Sequence, residues 1–247
     1  VDTGSSNVVV VSPTCTACPV PHIFTPPSGV QPVATNIPFT TGSGTTISNI
    51  YVANVSITGL TGSAVNNAQI YAATSTTGTF FTPVGCFLDV NTLTNGDGLF
   101  GLGPQTLSGS SGTSIMDALG KPSMAFQHCE SGGTLWLGQP NATYFSEPIQ
   151  YTTLYEQPYY AIHPTAIAVD GVDLNFTATD FASTGNTILD NGATNMFFPT
   201  AVYNAIMAKL NANNLYYSYF GSNWAVAGPC IAFPTSPINT PYINAHF

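Results

Sequence analysis

The chain has 247 residues, 44% of them apolar and only 5% charged, and it carries a net charge of −9. Soluble domains usually have roughly 25% charged residues. Eleven acids stand against two lysines, Lys121 and Lys209, so a nucleic-acid backbone or an anionic membrane would be repelled. No apolar run approaches the roughly 20 residues that span a bilayer, so the chain holds no membrane segment of that kind. The length suffices for one large domain or two small ones. No charged-then-apolar leader opens the chain, which predicts a mature or cut fragment.

The first element is Val1-Asp2-Thr3-Gly4-Ser5-Ser6-Asn7, followed by the apolar run Val8 to Val11. An aspartate in a tight glycine turn before a buried strand holds a carboxylate at a loop tip. Ser12-Pro13-Thr14 then leads into a loop with Cys15 and Cys18, and proline-rich turns follow around Pro26 and Pro27. Ile37 to Ile57 reads as a β-hairpin turning at Thr41-Gly42-Ser43-Gly44, with Ile50, Val52 and Val55 marking the returning strand. Strands are predicted over Ala68 to Ala73 and Thr79 to Val84. Gly98-Leu99-Phe100-Gly101 clasps two apolar residues between glycines, directly after Asp97.

Ser114 to Leu119 is a candidate short helix, and Gly133 to Gly138 another β segment. Tyr160 to Val169 alternates as one strand, closed by an Asp170-Gly171 turn. A relative of the opening motif then returns as Ile188-Leu189-Asp190-Asn191-Gly192-Ala193. Behind it Pro199 to Leu210 is the clearest helix, with Val202, Ile206 and Leu210 on one face and Lys209 near its negative C-terminal end. The composition and turns predict a mainly β protein of two lobes.

Five cysteines stand at positions 15, 18, 86, 129 and 230. Zinc at Cys15 and Cys18 would need two further soft ligands, and no second pair or histidine cluster supplies them, so a local disulfide is the better reading. Asn54-Val55-Ser56, Asn141-Ala142-Thr143 and Asn175-Phe176-Thr177 are glycosylation sequons. Together with the acidity they predict a secretory route.

Two aspartates on facing turns can share one proton, because like charges a few ångströms apart do not both ionise cheaply. One carboxylate then takes a proton from water while its protonated partner donates to a carbonyl oxygen. Taken singly, an Asp-Thr-Gly turn is more often structural than catalytic. The glycines near Leu99 lack the spacing and the lysine of a phosphate-binding loop. The four histidines share no spacing with a nucleophile and read as structural or surface groups, and Trp136 and Trp224 as packing. It is the ordered pair of aspartate turns that outweighs these readings.

Asp2-Thr3-Gly4-Ser5-Ser6-Asn7 resembles the first active-site motif of the pepsin-like aspartic proteases, and the likeness runs along nearly the whole chain. Phe39 to Ser43 falls at the flap hairpin of that family. Asp97 to Gly103 resembles the apolar-apolar-Gly element that braces the first catalytic loop, and Ile188 to Gly192 falls at the second motif. The resemblance implies a mainly β, bilobal acid-protease fold with a few short helices, residues 1–152 forming one lobe and 153–247 part of a second, incomplete one. It implies a monomeric, secreted or vacuolar or lysosomal endopeptidase acting on peptide or protein substrates, with no cofactor and no metal.

Asp2 and Asp190 would be catalytic, supported by Thr3, Gly4, Ser5, Asn191 and Gly192. Phe39, Thr41, Gly42 and Ser43 would form the flap. Cys86 would pair with Cys129, as in some relatives, and the partner of Cys230 would lie beyond the chain's end. Three departures qualify the match. Asn191 and Ala193 stand where the family places Ser or Thr, Phe39 stands at the flap tyrosine, and no second brace follows Asp190. An alternative is a protease-like protein that binds peptides, or inhibits, with impaired catalysis.

Overall fold

The computed structural model describes residues 1–16, 18–58, 64–78, 80–81, 97–104, 113–121, 123–129, 132–155, 158–181, 187–193, 196–212 and 243–246. It is mainly β with a few short helices. The first strand, β1 (Val8–Val11), is four consecutive valines, and its position explains why. β-Branched side chains suit a pleated strand, and alternate residues point to opposite faces. Val8 enters one buried cluster with Val65, Ala68, Ile70, Leu102, Ile115 and Met116. Val9 and Val11 enter a second, with Ile50, Tyr71, Ala73 and Phe81. Both faces are covered, so an unbroken apolar run is required. Each valine so buried contributes about 1.5–3 kcal/mol.

The sheet around β1 adds β2 (Ala34–Thr41), β3 (Gly44–Val55), β4 (Val65–Gly78) and β5 (Gly98–Phe100) in the order β2-β3-β4-β1-β5. β1 pairs parallel with β4 from Val8↔Ile70 to Val11↔Ala73 and antiparallel with β5 from Val8↔Phe100 to Val10↔Gly98. β2 and β3 form the expected hairpin, with Thr41 opposite Gly44 across the two-residue loop Gly42-Ser43. Near that tip Gly44 faces Gly78, where a Cβ on either would overlap the opposite backbone. Ile50 is buried, but Val52 on the same face is exposed, because β3 there runs past the second cluster. Ala53 and Val55 instead pack on the first cluster, beyond an irregularity in the register.

β4 ends at Gly78, and Phe80 and Phe81 form a turn where a strand over 79–84 was expected; the rest of that span lies outside the described residues. Cys15 and Cys18 are joined in a disulfide with a Cα–Cα distance of 5.7 Å, packed against the second cluster. Cys86, Cys230, Trp224 and the side chain of Cys129 lie outside the described residues. Helix α1 (Ile115–Ala118) starts at Ser114, whose hydroxyl accepts from the Asp117 N–H at 3.1 Å and so satisfies a free end donor. It buries Ile115 and Met116 in the first cluster. β6 (Met124–Cys129) and β7 (Gly132–Leu137) form a further hairpin, and Trp136 lies against Tyr144.

In the second half the single strand expected from Tyr160 to Val169 is two strands, β8 (Ala161–Ile162) and β9 (Ala166–Val169). Pro164 lies between them, and without an N–H it cannot donate to a ladder. The Asp170-Gly171 turn joins β9 to β10 (Val172–Asp173), both turn residues having positive φ, 53° and 72°, as a two-residue hairpin favours. After α2 (Ala178–Phe181) comes β11 (Thr187–Ile188), paired with β8, then α3 (Thr200–Asn211). Val202, Ile206 and Leu210 of α3 bury against Ile167, Val169 and Phe181. The last strand, β12 (Ile243–His246), pairs with β9. Among the described residues no helix is long and apolar enough to cross a membrane.

Candidate active site

The loop before β1 is clamped from beneath by the segment that begins with β5. The Asp2 N–H donates to the Phe100 carbonyl at 2.9 Å, and the Leu102 N–H donates to the Asp2 carbonyl at 2.7 Å. Gly101 and Gly103 donate to the carbonyls of Asn7 and Ser5 at 3.0 and 2.6 Å. The glycine-clasped element is therefore the brace predicted for it, and Leu102 anchors it in the core with no exposed surface. Asp2, Thr3, Ser5, Ser6 and Asn7 are all buried, which is affordable for polar groups only when they are hydrogen-bonded. The Asp2 carboxylate accepts from the Gly4 N–H at 2.9 Å and from the Ser5 hydroxyl at 2.5 Å. Ser6 donates its hydroxyl to the Pro104 carbonyl.

The second turn leaves β11 at Leu189, whose N–H donates to the Tyr160 carbonyl at 2.9 Å. The Asp190 carboxylate accepts from the Gly192 N–H at 2.8 Å, repeating the Gly4 contact of the first loop. The loops then interlock. Thr3 donates its N–H to the Asn191 amide oxygen at 2.8 Å and its hydroxyl to the Leu189 carbonyl at 2.9 Å, while the Asn191 N–H donates to the Thr3 hydroxyl at 2.9 Å. Asn191, a departure from the family pattern, thus supplies the cross-loop bond by its amide.

The two carboxyls meet in the middle. A Cβ on Gly4 would overlap the Asp190 carboxyl, and one on Gly192 would overlap that of Asp2. Each loop therefore needs glycine to admit the other loop's aspartate. Burial first, then the hydrogen bond and negative charge of Asp2, raise the Asp190 pKa above the ordinary aspartate value, against the opposing N–H groups of Gly192 and Gly4. A carboxyl so placed keeps its proton to higher pH, and the arrangement suits one proton held between two oxygens.

Asp190 is less well held than Asp2. Among the described residues its carboxyl bonds to the backbone of Gly192 and Gly4 and to Asp2, with no hydroxyl donor, and Ala193 occupies the position that Ser5 fills in the first loop. At the hairpin, Gly42 and Ser43 are exposed at the tip, and the Ser43 N–H donates to the Thr41 hydroxyl at 3.3 Å. The half-buried Phe39 ring packs against Tyr71 and Phe80, with centroids 6.2 and 6.0 Å away, at the base of the hairpin.

The three sequon asparagines are exposed. Asn141 accepts from the Thr143 N–H at 3.0 Å, and Asn54 from the Asn67 N–H at 3.2 Å. His22 is exposed but pairs through Nδ1 with Asp97 at 2.5 Å, and His163 stacks on Tyr155. Sequence reasoning missed Tyr160, which contacts both halves of the site: besides accepting from Leu189, it donates its hydroxyl to the Leu102 carbonyl at 2.8 Å. Nothing in its local pattern marks it, since its partners are backbone groups of distant segments.

Two interlocked Asp-x-Gly turns in a mainly β chain define a pepsin-like protein. The chain belongs to the eukaryotic aspartyl protease family, whose model matches residues 1–238. It is similar to an aspartic protease of Phaffia rhodozyma, 27% identical over 95% of this chain and 56% of that protein. It is also similar to embryonic pepsinogen of Gallus gallus, 25% identical over 97% of this chain and 62% of that protein. The chain thus spans less than two thirds of either relative.

Proposed function

We propose that the protein is an aspartic-type endopeptidase that hydrolyses peptide bonds at acidic pH, with Asp2 and Asp190 as its catalytic pair. The observation that carries this reading is the mutual insertion of the two turns, each glycine making room for the opposite carboxyl. One proton is shared by the pair, and burial together with the neighbouring Asp2 carboxyl raises the affinity of Asp190 for it. The ionised partner takes a proton from water as the water oxygen attacks the peptide carbonyl carbon, and the protonated one donates to the carbonyl oxygen. The resulting gem-diol collapses, the C–N bond breaks, and the amine leaves with a proton returned through the pair.

Thr3, Gly4, Ser5, Asn191 and Gly192 orient the carboxyls in this reading. Gly42, Ser43 and Thr41 close over an extended substrate that takes main-chain hydrogen bonds, as an added strand does. Residues 1–152 form one lobe and 153–247 part of the other. The disulfide, the exposed sequons at Asn54, Asn141 and Asn175 and the family's habit support a monomeric, glycosylated protein that is secreted or vacuolar.

The test is cleavage of an unfolded protein substrate at acid pH by the full-length protein. Asp2→Asn should lower the rate by about 10²–10⁴-fold, and unchanged cleavage would refute the assignment. A second reading, peptide binding without cutting, is favoured by the missing hydroxyl donor at Asp190. Tight binding of a statine-type peptide by a protein that cleaves nothing would establish it instead.

A further inference from the structure

Four hydrogen bonds close a ring that passes behind both aspartates. The Thr3 hydroxyl donates to the Leu189 carbonyl at 2.9 Å. The Leu189 N–H donates to the Tyr160 carbonyl at 2.9 Å. The Tyr160 hydroxyl donates to the Leu102 carbonyl at 2.8 Å, and the Leu102 N–H donates to the Asp2 carbonyl at 2.7 Å. The Asp2–Thr3 peptide completes the circuit. Tyr160 occupies two of its links: its carbonyl holds the strand that ends at Asp190, and its phenol holds the brace beneath Asp2.

We propose that Tyr160 is a positioning residue whose hydroxyl fixes the separation of the Asp2 and Asp190 carboxyls, and so governs how firmly the pair shares its proton. The inference rests on the dyad reading above. Leu102 has no exposed surface, so its carbonyl depends on protein donors, and a tertiary link at that point cannot be replaced cheaply by solvent. Burial, and then the charge of nearby Asp117, raise the phenol's pKa, so the hydroxyl remains a donor wherever an acid protease works. Among the described residues, the ionisable groups facing the ring are Asp117 on α1 and the two aspartates themselves. Tyr160 touches no reacting atom in this scheme; it acts through the two loops.

Tyr160→Phe in the full-length protein keeps the ring and removes one oxygen. The expected result is a fall in kcat of about tenfold with KM nearly unchanged, since a carboxyl is misplaced while the substrate cleft is not. The pH profile should move in a definite direction. Proximity of Asp2 helps to raise Asp190, so looser coupling lowers that value, and activity should fail at lower pH on the alkaline side. Unchanged kcat and pH profile, beside an Asp2→Asn variant that is inactive, would overturn this inference and leave the dyad intact. An active Asp2→Asn variant would overturn both. Combined with Thr3→Val, which breaks the same ring, the losses should be less than multiplicative, and strictly multiplicative losses would argue against a shared circuit. If Tyr160→Phe fails to fold, amide exchange on the unaltered protein decides: the Leu102 and Leu189 amides should open together, and independent opening would sink the idea.

Discussion

Around Asp2 the chain supplies support from below, beside and across: the brace from Phe100 to Gly103, the hydroxyl of Ser5 and the opposite loop. Around Asp190 it supplies the short β11–β8 pairing, the Gly192 N–H and whatever the first loop lends. Asp2 is 6% exposed, whereas Asp190 is only half-buried. The same turn chemistry therefore yields a fixed carboxyl in one place and an adjustable one in the other. Precision at the first site comes from its own sheet, and at the second largely by loan from the first.

The harshest break of that contrast is steric. Gly192→Ala drives a methyl into the buried Asp2 carboxyl, which has nowhere to turn, while Gly4→Ala drives one into Asp190, which can swing toward solvent. A misplacement near 1 Å can cost about 10²-fold, so kcat/KM should fall by about that much for Gly192→Ala and by clearly less for Gly4→Ala. Equal losses would mean that the two carboxyls are equally fixed.

A gentler pair exchanges the hydroxyls. Ser5→Ala removes a hydrogen bond to a charged group, worth about 1.5–3 kcal/mol, so a rate loss of about 10–100-fold is expected. Ala193→Ser offers the missing donor to Asp190. It should steady the ionised form and bring the alkaline limit of activity down, visible in a pH–rate profile. No movement of that limit would show that position 193 does not serve Asp190 as position 5 serves Asp2.

The smallest effect is on stability. Because Asp190 has a raised pKa, the folded chain binds its proton more tightly than the unfolded chain does. Its contribution is fully present below the ordinary aspartate value of about 3.9 and is lost as pH rises through the raised one. Urea denaturation across that range should show the parent losing stability relative to Asp190→Asn. Parallel curves would contradict the assignment.

What sequence could foretell followed from local physics. Four valines needed a strand buried on both faces, the Gly42-Ser43 loop needed a hairpin, and the face of Val202, Ile206 and Leu210 needed a helix against a core. Both aspartate turns were legible for the same reason. The misses had other causes. Pro164 splits a strand that periodicity joins. Tyr160 works through backbone carbonyls, which carry no sequence signature.

The span of the Thr3–Asn191 link, 188 residues, also orders events in time. The β2–β3–β4 meander joins near neighbours and closes early, and β1 can dock on it as soon as β4 exists. The clasp between the two turns joins segments 188 residues apart, a longer loop to close than any within the β2–β3–β4 meander. A nascent or half-folded molecule thus carries one finished carboxyl and no partner for it. Any chemistry that needs both aspartates therefore depends on the contact of longest sequence range among those that build the site.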